Sequence, residues 1–383
     1  MAGSIVTTNI VQTLVSFGLD ALREHCVMPR IVNRQYERDI VGARRGATLN
    51  VAVPASISTR TVAPDVVPPA TTAITPTSVS LTLDTWEEAV WAMDDEAVAK
   101  TLATGVIESQ MSAAIKAMAN SIDTSIMTTA VQSAFAFAGT SGTTPFANGW
   151  SDYLGIRKQG NENLMPVDDR YVVVDPAAEA NVLNLRGMVD ASYRGDDGSA
   201  IRRGKMGYIL GSDWQMSQNV QTHTAGTASS CTTDASGYAV GVKTLALASA
   251  GTGTIVVGDC FTIAGDSQVY NCTSGDADIS GGGSISFQPG LKVAIATSTT
   301  AITLKADYVA NLLIHKDAIA FASAPLADEM IVSGQNVAVA VDEESGLSLR
   351  LEVERHHKQT QWSLDCLWGS VCVRPELLGI IAG

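Results

Sequence analysis

Thr48 to Asp84 reads TLNVAVPASISTRTVAPDVVPPATTAITPTSVSLTLD, and the reading of this stretch decides the fold. Leu49, Val51 and Val53 alternate with small or polar residues, and so do Val79, Leu81 and Leu83. That period of two is the mark of a strand with one buried face. Between the two runs lie Pro54, Pro64, Pro68, Pro69 and Pro76 among Thr and Ala. Proline removes backbone donors and fixes φ, so this middle section cannot continue a ladder. A connection of this length without a core of its own is rare inside a compact domain. The segment from Gly42 to Asp84 therefore reads as an extended arm that reaches for neighbours.

The chain that follows, EEAVWAMDDEAVAKTLATGVIESQMSAAIKAMANSIDTSIMTTAVQSA (Glu87–Ala134), changes period. Val98, Leu102, Val106, Met111, Ile115, Met118, Ile122 and Ile126 recur at steps of three, four or five. This predicts one long amphipathic helix from Asp94 or Asp95 to Ser133, with Asp94–Asp95–Glu96 at its positive end. Such a rod spans roughly 55–60 Å. Sustained heptads with flanking charges are missing, which argues against a coiled coil. Trp86 and Trp91 are expected to anchor the start of the helix in a core.

Working outward on the N-terminal side, residues 1–41 read as an arm. A short amphipathic helix is expected around Asn9–His25, then extended chain through Val32 and Tyr36. There is no basic n-region and no continuous apolar run, so this is not read as a signal peptide. On the C-terminal side the pattern becomes mixed. YLGIRKQGNENLMP predicts a helix and loop, YVVVDPAAEANVLNL a buried strand and a helix from Pro176, and GKMGYILGSDWQMS a further strand. From Thr222 to about Lys305 the composition shifts to Gly, Thr, Ser and Ala. Short strands are expected at TIVVGD, CFTIAG, QVYNCT and AITL, as in a small barrel or sandwich. Mixed α/β sequence resumes at Asn311, so this block looks inserted into a host domain. Leu347, Leu349, Leu351 and Val353 then alternate as a long strand, followed by a helix-like turn and a last strand near Ile381.

The composition narrows the function. Of 383 residues, 46% are hydrophobic and 17% charged, and the net charge is −14, which excludes a disordered chain and argues against gripping a nucleic-acid backbone. Arg44–Arg45 and Arg202–Arg203–x–Lys205 are the only basic clusters. The six cysteines, Cys26, Cys231, Cys260, Cys272, Cys366 and Cys372, form no CxxC pair. Most lie in apolar runs and read as reduced structural thiols. The sequon at Asn271–Cys272–Thr273 reads as chance.

No catalytic constellation withstands inspection. Adjacent His356 and His357 point to opposite faces of a strand and cannot share a metal. The acidic pairs Asp168–Asp169 and Asp196–Asp197 and the run Asp342–Glu343–Glu344 sit among turn residues and read as solvated loops. There is no Walker A loop, dinucleotide fingerprint, nucleophile elbow or EF-hand loop. No cofactor and no metal is expected.

The order of the pieces carries a resemblance. VMPRIVNRQYERDIVGARRGATLNVAVP (Val27–Pro54), VSLTLDTWEEAVWAMDDEAV (Val79–Val98), VVGDCFTIAG (Val256–Gly265), HKDAIAFASAPL (His315–Leu326) and LWGSVCVRPELLGIIAG (Leu367–Gly383) stand in a set sequence. Together they resemble the major capsid (coat) proteins of tailed bacteriophages, the Hong Kong 97-type fold. The branch it looks closest to is the short-tailed-phage coat protein with an inserted β-barrel domain.

The resemblance implies an α+β fold and a non-enzymatic virion protein. Such proteins self-assemble through hexamers and pentamers into an icosahedral head around double-stranded DNA. It implies an N-terminal arm (1–41), an E-loop (42–84) and a peripheral domain with a spine helix (85–138). It further implies an axial domain (139–221, returning at 307–346), an inserted barrel (222–306), a long peripheral strand (347–360) and a C-terminal axial segment (361–383). Arg44, Arg45, Arg60, Asp65, Val66, Val67, Glu87 and Glu88 become candidates for contacts between subunits. Implied partners are other copies, a portal and a separate scaffolding protein, the last because only about forty residues precede the loop. Assembly is expected in the host bacterial cytoplasm, with no membrane involved.

Some relatives crosslink through a lysine of the E-loop. No Lys occurs between Met1 and Met93, so that chemistry is not expected here. A competing reading makes the Gly/Thr/Ser-rich β-domain a receptor or carbohydrate binder, with Tyr238, Phe261, Tyr270 and Phe287 as its few stacking residues. A third, a hydrolase with paired carboxylates, has the least support.

Overall fold

In the computed structural model of the chain, the described residues are 26–36, 44–54, 57, 59, 61–62, 74–96, 106–190, 203–324, 337–341 and 347–383. The expected helix around Asn9–His25 lies outside them. A single helical turn, Met28–Ile31 (α1), opens the described chain. Beyond it Asn33 adds a parallel bridge to Ala320.

Ala47–Val53 (β1) and Thr77–Leu83 (β2) pair antiparallel, with Leu49 opposite Leu81 and Val51 opposite Val79. Directly opposed residues share a face, so the alternation seen in the sequence becomes one apolar face of a hairpin. Val51, Leu81 and Leu83 of that face are buried.

Thr85–Asp94 (β3) follows at once. Asp94 ends this strand, and Asp95 and Glu96 are helical, within the start that the sequence reading gives for the helix. Trp86 and Trp91 are strand residues, and Trp91 lies opposite Trp362 with its ring stacked at 6.0 Å. An aromatic cross-strand pair of this kind favours the ladder over helix. The long helix is described over Val106–Gln132 (α2), about 40 Å of rod. Met111, Ile115, Met118, Ile122 and Ile126 are its buried stripe, as the spacing predicts. Val98 and Leu102 lie outside the described residues.

Ala136–Gly139 (β4), Ser151–Glu162 (α3), Arg170–Val174 (β5) and Pro176–Asn184 (α4) come next. Asp175 caps α4, accepting from the backbone N–H of Ala177 and Ala178 with Pro176 at the first helical position. Gly207–Ile209 (β6), Ser212–Met216 (β7) and Thr222–His223 (β8) lead to the composition break. Beyond it run Thr244–Leu247 (β9), Cys260–Ile263 (β10), Val269–Ser274 (β11), Gly283–Gln288 (β12) and Ile302–Leu304 (β13). TIVVGD is not a strand. Ile255 makes an isolated bridge, Gly258 turns with φ +94, and Asp259 ties back to the N–H of Val256.

Tyr308–His315 (β14), Ile319–Ala324 (β15), Val337–Val341 (β16), Ser348–His356 (β17), Gln359–Cys372 (β18) and Leu378–Ala382 (β19) complete the chain. The stretch expected to be a helix-like turn is instead the 14-residue strand β18, and only Pro375–Leu377 forms a helical turn. His357 is also not a strand residue. It sits with Lys358 (φ +57) in the turn between β17 and β18.

Among the described residues, three sheets carry the fold beside the β1–β2 hairpin. One runs β4-β19-β14-β5-β7-β6, with β8 on the start of β14. A second runs β15-β18-β17-β16, with β3 on β18. A third, β13-β10-β11-β12-β9, lies in the chain between β8 and β14 and has its own core around Phe261, Tyr270 and Phe287. On the second sheet the α2 stripe packs with Leu349, Leu351, Leu364 and Trp368. The opposite face at the β15 end carries the hairpin, against Ala320, Ala322, Ala324 and Leu367.

Candidate assembly surfaces

Small side chains make the platform under the hairpin. Ala322 of β15 lies opposite Gly369 of β18. A Cβ at Gly369 would run into the carbonyl oxygen of Thr82, so glycine lets β2 lie directly on the sheet. Arg45 closes the base of the hairpin by donating to the Asp84 carbonyl at 3.0 Å. Past this pinned base, three of the described arm residues hold large apolar side chains in solvent, among exposed threonines. Ile57 is 75% exposed, Val62 84% and Ile74 58%. The hairpin is held where it touches its own chain, and its reach presents uncovered hydrocarbon.

The other proposed contact residues divide. Arg44 is exposed in the turn before β1. Glu87 and Glu88 are exposed on opposite faces of β3. Ser121 of α2 donates to Glu87, and Ser363 of β18 donates to Glu88 at 3.0 Å. Arg60, Asp65, Val66 and Val67 lie outside the described residues. Sequence reasoning missed the neighbouring patch on β3, where Trp86 and Val90 are exposed on the face of Glu88. Trp86 donates to Asp365 at 2.8 Å, and Asp365 takes both arms of the Arg350 guanidinium at 2.8 and 2.7 Å. This bidentate pair is buried, and fixes β17 against β18 beneath the exposed tryptophan.

At the far end of the same strands, the β17–β18 turn presents Arg355, His356, His357 and Lys358, all exposed. Arg355 pairs with Asp95 at 2.6 Å and His356 with Glu354 at 3.3 Å.

Two junctions lock the units together. Asp123 of α2 is fully buried and accepts from the backbone N–H groups of Val27 (3.2 and 3.0 Å) and Met28 (3.1 Å). Burial pushes its carboxyl up to about 6, against the opposing pull of those N–H groups, Asn219 and Arg30. At the other end of α2, Asn271 of β11 donates to the carbonyls of Val131 and Ala134, both at 2.9 Å. Gln288 of β12 donates to Ser133 at 2.7 Å. The third sheet thus satisfies carbonyls that a helix C-terminus leaves open. His223 and Asp259 add a contact at 2.8 Å where the chain enters this unit.

Burial pushes the thiols of Cys260, Cys272 and Cys372 up to about 12, which makes them poor nucleophiles. Among the described residues no group of three or more His, Cys, Asp or Glu is placed to hold a metal ion. None of the described helices is long and apolar enough to cross a membrane.

No protein-family model matches the chain, and no curated protein matches its sequence. Its backbone, however, is similar to solved structures. A chain from the structure of Mycobacterium phage Che8 superposes with a TM-score of 0.50 at 15% identity, covering 93% of this chain and 90% of that one. A chain from the capsid structure of the cyanophage P-SCSP1u gives 0.49 at 13% identity, over 93% and 87%. One from the capsid of Ralstonia phage GP4 gives 0.47 at 8% identity, over 93% and 87%. The fold is α+β and of the Hong Kong 97 type found in tailed-phage capsid proteins.

Proposed function

We propose that this chain is the major capsid protein of a tailed double-stranded DNA bacteriophage, a non-enzymatic subunit that closes into an icosahedral head. The observation that carries this reading is the arm. A hairpin pinned to its own sheet at Gly369 continues into residues whose apolar side chains are 58–84% exposed. An isolated monomer gains nothing from such a display, whereas a neighbour that covers it buries hydrocarbon at each contact. Many weak contacts of this kind sum on a closed lattice.

In this reading the β1–β2 arm is the E-loop, α2 is the spine and the first sheet is the axial unit. The sheet between β8 and β14 is the inserted domain of the short-tailed-phage branch. Arg44, Arg45, Arg60, Asp65, Val66, Val67, Glu87 and Glu88 would meet neighbouring copies in hexamers and pentamers. A scaffolding protein and a portal would take part in assembly in the bacterial cytoplasm. The enclosed DNA would be held without sequence-specific contacts, as the net charge of −14 favours.

The test is electron microscopy of the full chain expressed in bacteria, alone and with a scaffolding protein. Closed shells of uniform diameter are expected, and soluble monomers under both conditions would reject the reading. The carbohydrate-binding alternative loses its platform in the structure. Phe261, Tyr270 and Phe287 are packed against one another inside the third sheet's core, and Tyr238 is tied to Asp234 at 2.6 Å.

A further inference from the structure

Among the described residues two arginines are buried, and their charges are met differently. Arg350 has the Asp365 carboxylate on both arms. Arg170, at the start of β5, has no carboxylate. Its Nε donates to the Pro166 carbonyl, and its Nη2 to the Met165 carbonyl at 2.6 Å and the Asn161 side-chain oxygen at 2.8 Å. Nη1 has no partner among the described residues and is not sealed from solvent. A second guanidinium stands nearby. Tyr153, Arg157 and Asn161 follow at steps of four along α3 and so share one face of the helix. Tyr153 donates to the Leu210 carbonyl at 3.0 Å, Arg157 lies over the turn at Gly211, and Asn161 meets Arg170. Among the described residues neither Arg157 nor Arg170 forms an ion pair.

Burial, and after it the like charge of Arg157, lowers the pKa of Arg170. The other titratable groups acting on it are the phenols of Tyr153 and Tyr208, and none is a carboxylate. Beside Arg157 an open groove of about 440 Å³ is lined by Leu154, Lys158, Asn161 and Glu162. Glu162, the one acid in that lining, is drawn to Lys158 at 3.7 Å. A buried cation without a counter-ion is costly, and a second cation beside it adds repulsion. An anion taken from solvent removes both penalties. A phosphate carries about −1.5 to −2 charge near pH 7 and has oxygens enough for two guanidinium groups. A single carboxylate would offset only one of them. We propose that Arg157 and Arg170, with the side-chain amide of Asn161, form a site for a phosphate group, either free or as a monoester. The site goes beyond the shell reading and does not depend on it.

The experiment is calorimetric titration of the full chain with inorganic phosphate and, separately, with thymidine 5′-monophosphate, at an ionic strength held constant with chloride. Saturable binding is expected, and the tighter ligand of the two tells the free ion from the monoester. The bound ligand should also raise the melting temperature of the wild type by mass action. Arg157→Gln should weaken binding about tenfold or more, because a charge-assisted contact is lost. Its unliganded melting temperature should match the wild type, since Arg157 has no ion pair to lose. Arg157→Lys should fall between the two and serves if the glutamine variant fails to fold. No saturable binding of either ligand by the wild type overturns the proposal. Equal affinity in Arg157→Gln and the wild type overturns it as well. So does binding of a 5′-hydroxyl oligothymidine by a wild type that takes neither phosphate nor the monophosphate, which would make the groove a contact for nucleic-acid backbone.

Discussion

Asn271 donates its side-chain amide to the carbonyl of Val131 at 2.9 Å, across 140 residues of sequence. A residue of the third sheet thereby completes the last turn of the long helix. The second N–H of the same amide reaches Ala134, so both donors are used in a buried site.

Removing that amide should therefore loosen the helix end rather than the sheet that supplies it. Asn271→Ala takes the side-chain donor from the buried Ala134 carbonyl and leaves Val131 only the long 3.5 Å bond from the Ala134 N–H, at a cost of about 1–3 kcal/mol. Gln288→Ala, beside partly exposed Ser133, should cost less. Denaturant midpoints check the ranking, and hydrogen exchange should show the loss confined to the residues around Val131–Ala134. Unchanged midpoints in both variants would mean the caps carry no weight.

Acid titration should find Asp123. Its carboxyl is raised from an ordinary value of 3.8 to about 6, so the folded chain binds this proton more tightly than the unfolded chain. The contribution of Asp123 to stability is then greatest below about pH 4 and declines as pH rises through 6. Asp123→Asn should flatten that part of the stability–pH curve, measured by thermal melting from pH 4 to 7. A wild-type curve with the opposite slope that the variant leaves unaltered would contradict the assignment.

Gly369→Ala should lift the hairpin off its platform, because the new methyl group meets the Thr82 carbonyl. Overpacking of this kind costs about 1–3 kcal/mol. Limited proteolysis should cut within Thr77–Leu83 in the variant well before the β17–β18 core unfolds. Equal resistance in both proteins would show that the strand can shift without penalty.

Deletion of Val62–Ala73 should leave a soluble, folded subunit with a normal melting curve that no longer closes shells. Sedimentation and microscopy decide the matter. Normal particles from the deleted chain would take the arm out of assembly.

Periodicity made some elements readable from local sequence. Leu49, Val51, Leu81 and Leu83 alternate because one face of the hairpin is buried, and the Met111–Ile126 stripe repeats because one face of α2 meets a sheet. The junction between them carries no clear period in the sequence. Thr85–Asp94 is the strand β3 because β18 supplies its partner along ten positions. β18 itself shows period two at Trp362, Leu364, Cys366 and Trp368. The signal is blurred by Leu367, which is apolar because the hairpin covers the opposite face there. Of the candidate contact residues, the arm could be located from its prolines, whereas Trp86 and Val90 could not. Their exposure depends on which face of β3 the helix takes.

The sequence by itself determined the order of units, the arm, the helical stripe, the acidic balance that turns the chain away from nucleic acid, and the composition break at Thr222. These follow from local periodicity and charge, which neighbouring residues impose on one another. Only the tertiary structure decided that β3 is a strand and that Gly369 must lack a side chain. It alone decided that Asn271 and Gln288 cap α2, and that Arg157 lies over the turn at Gly211. Each of these depends on backbone from distant parts of the chain arriving within hydrogen-bond or van der Waals distance. No local pattern of residues encodes that arrival.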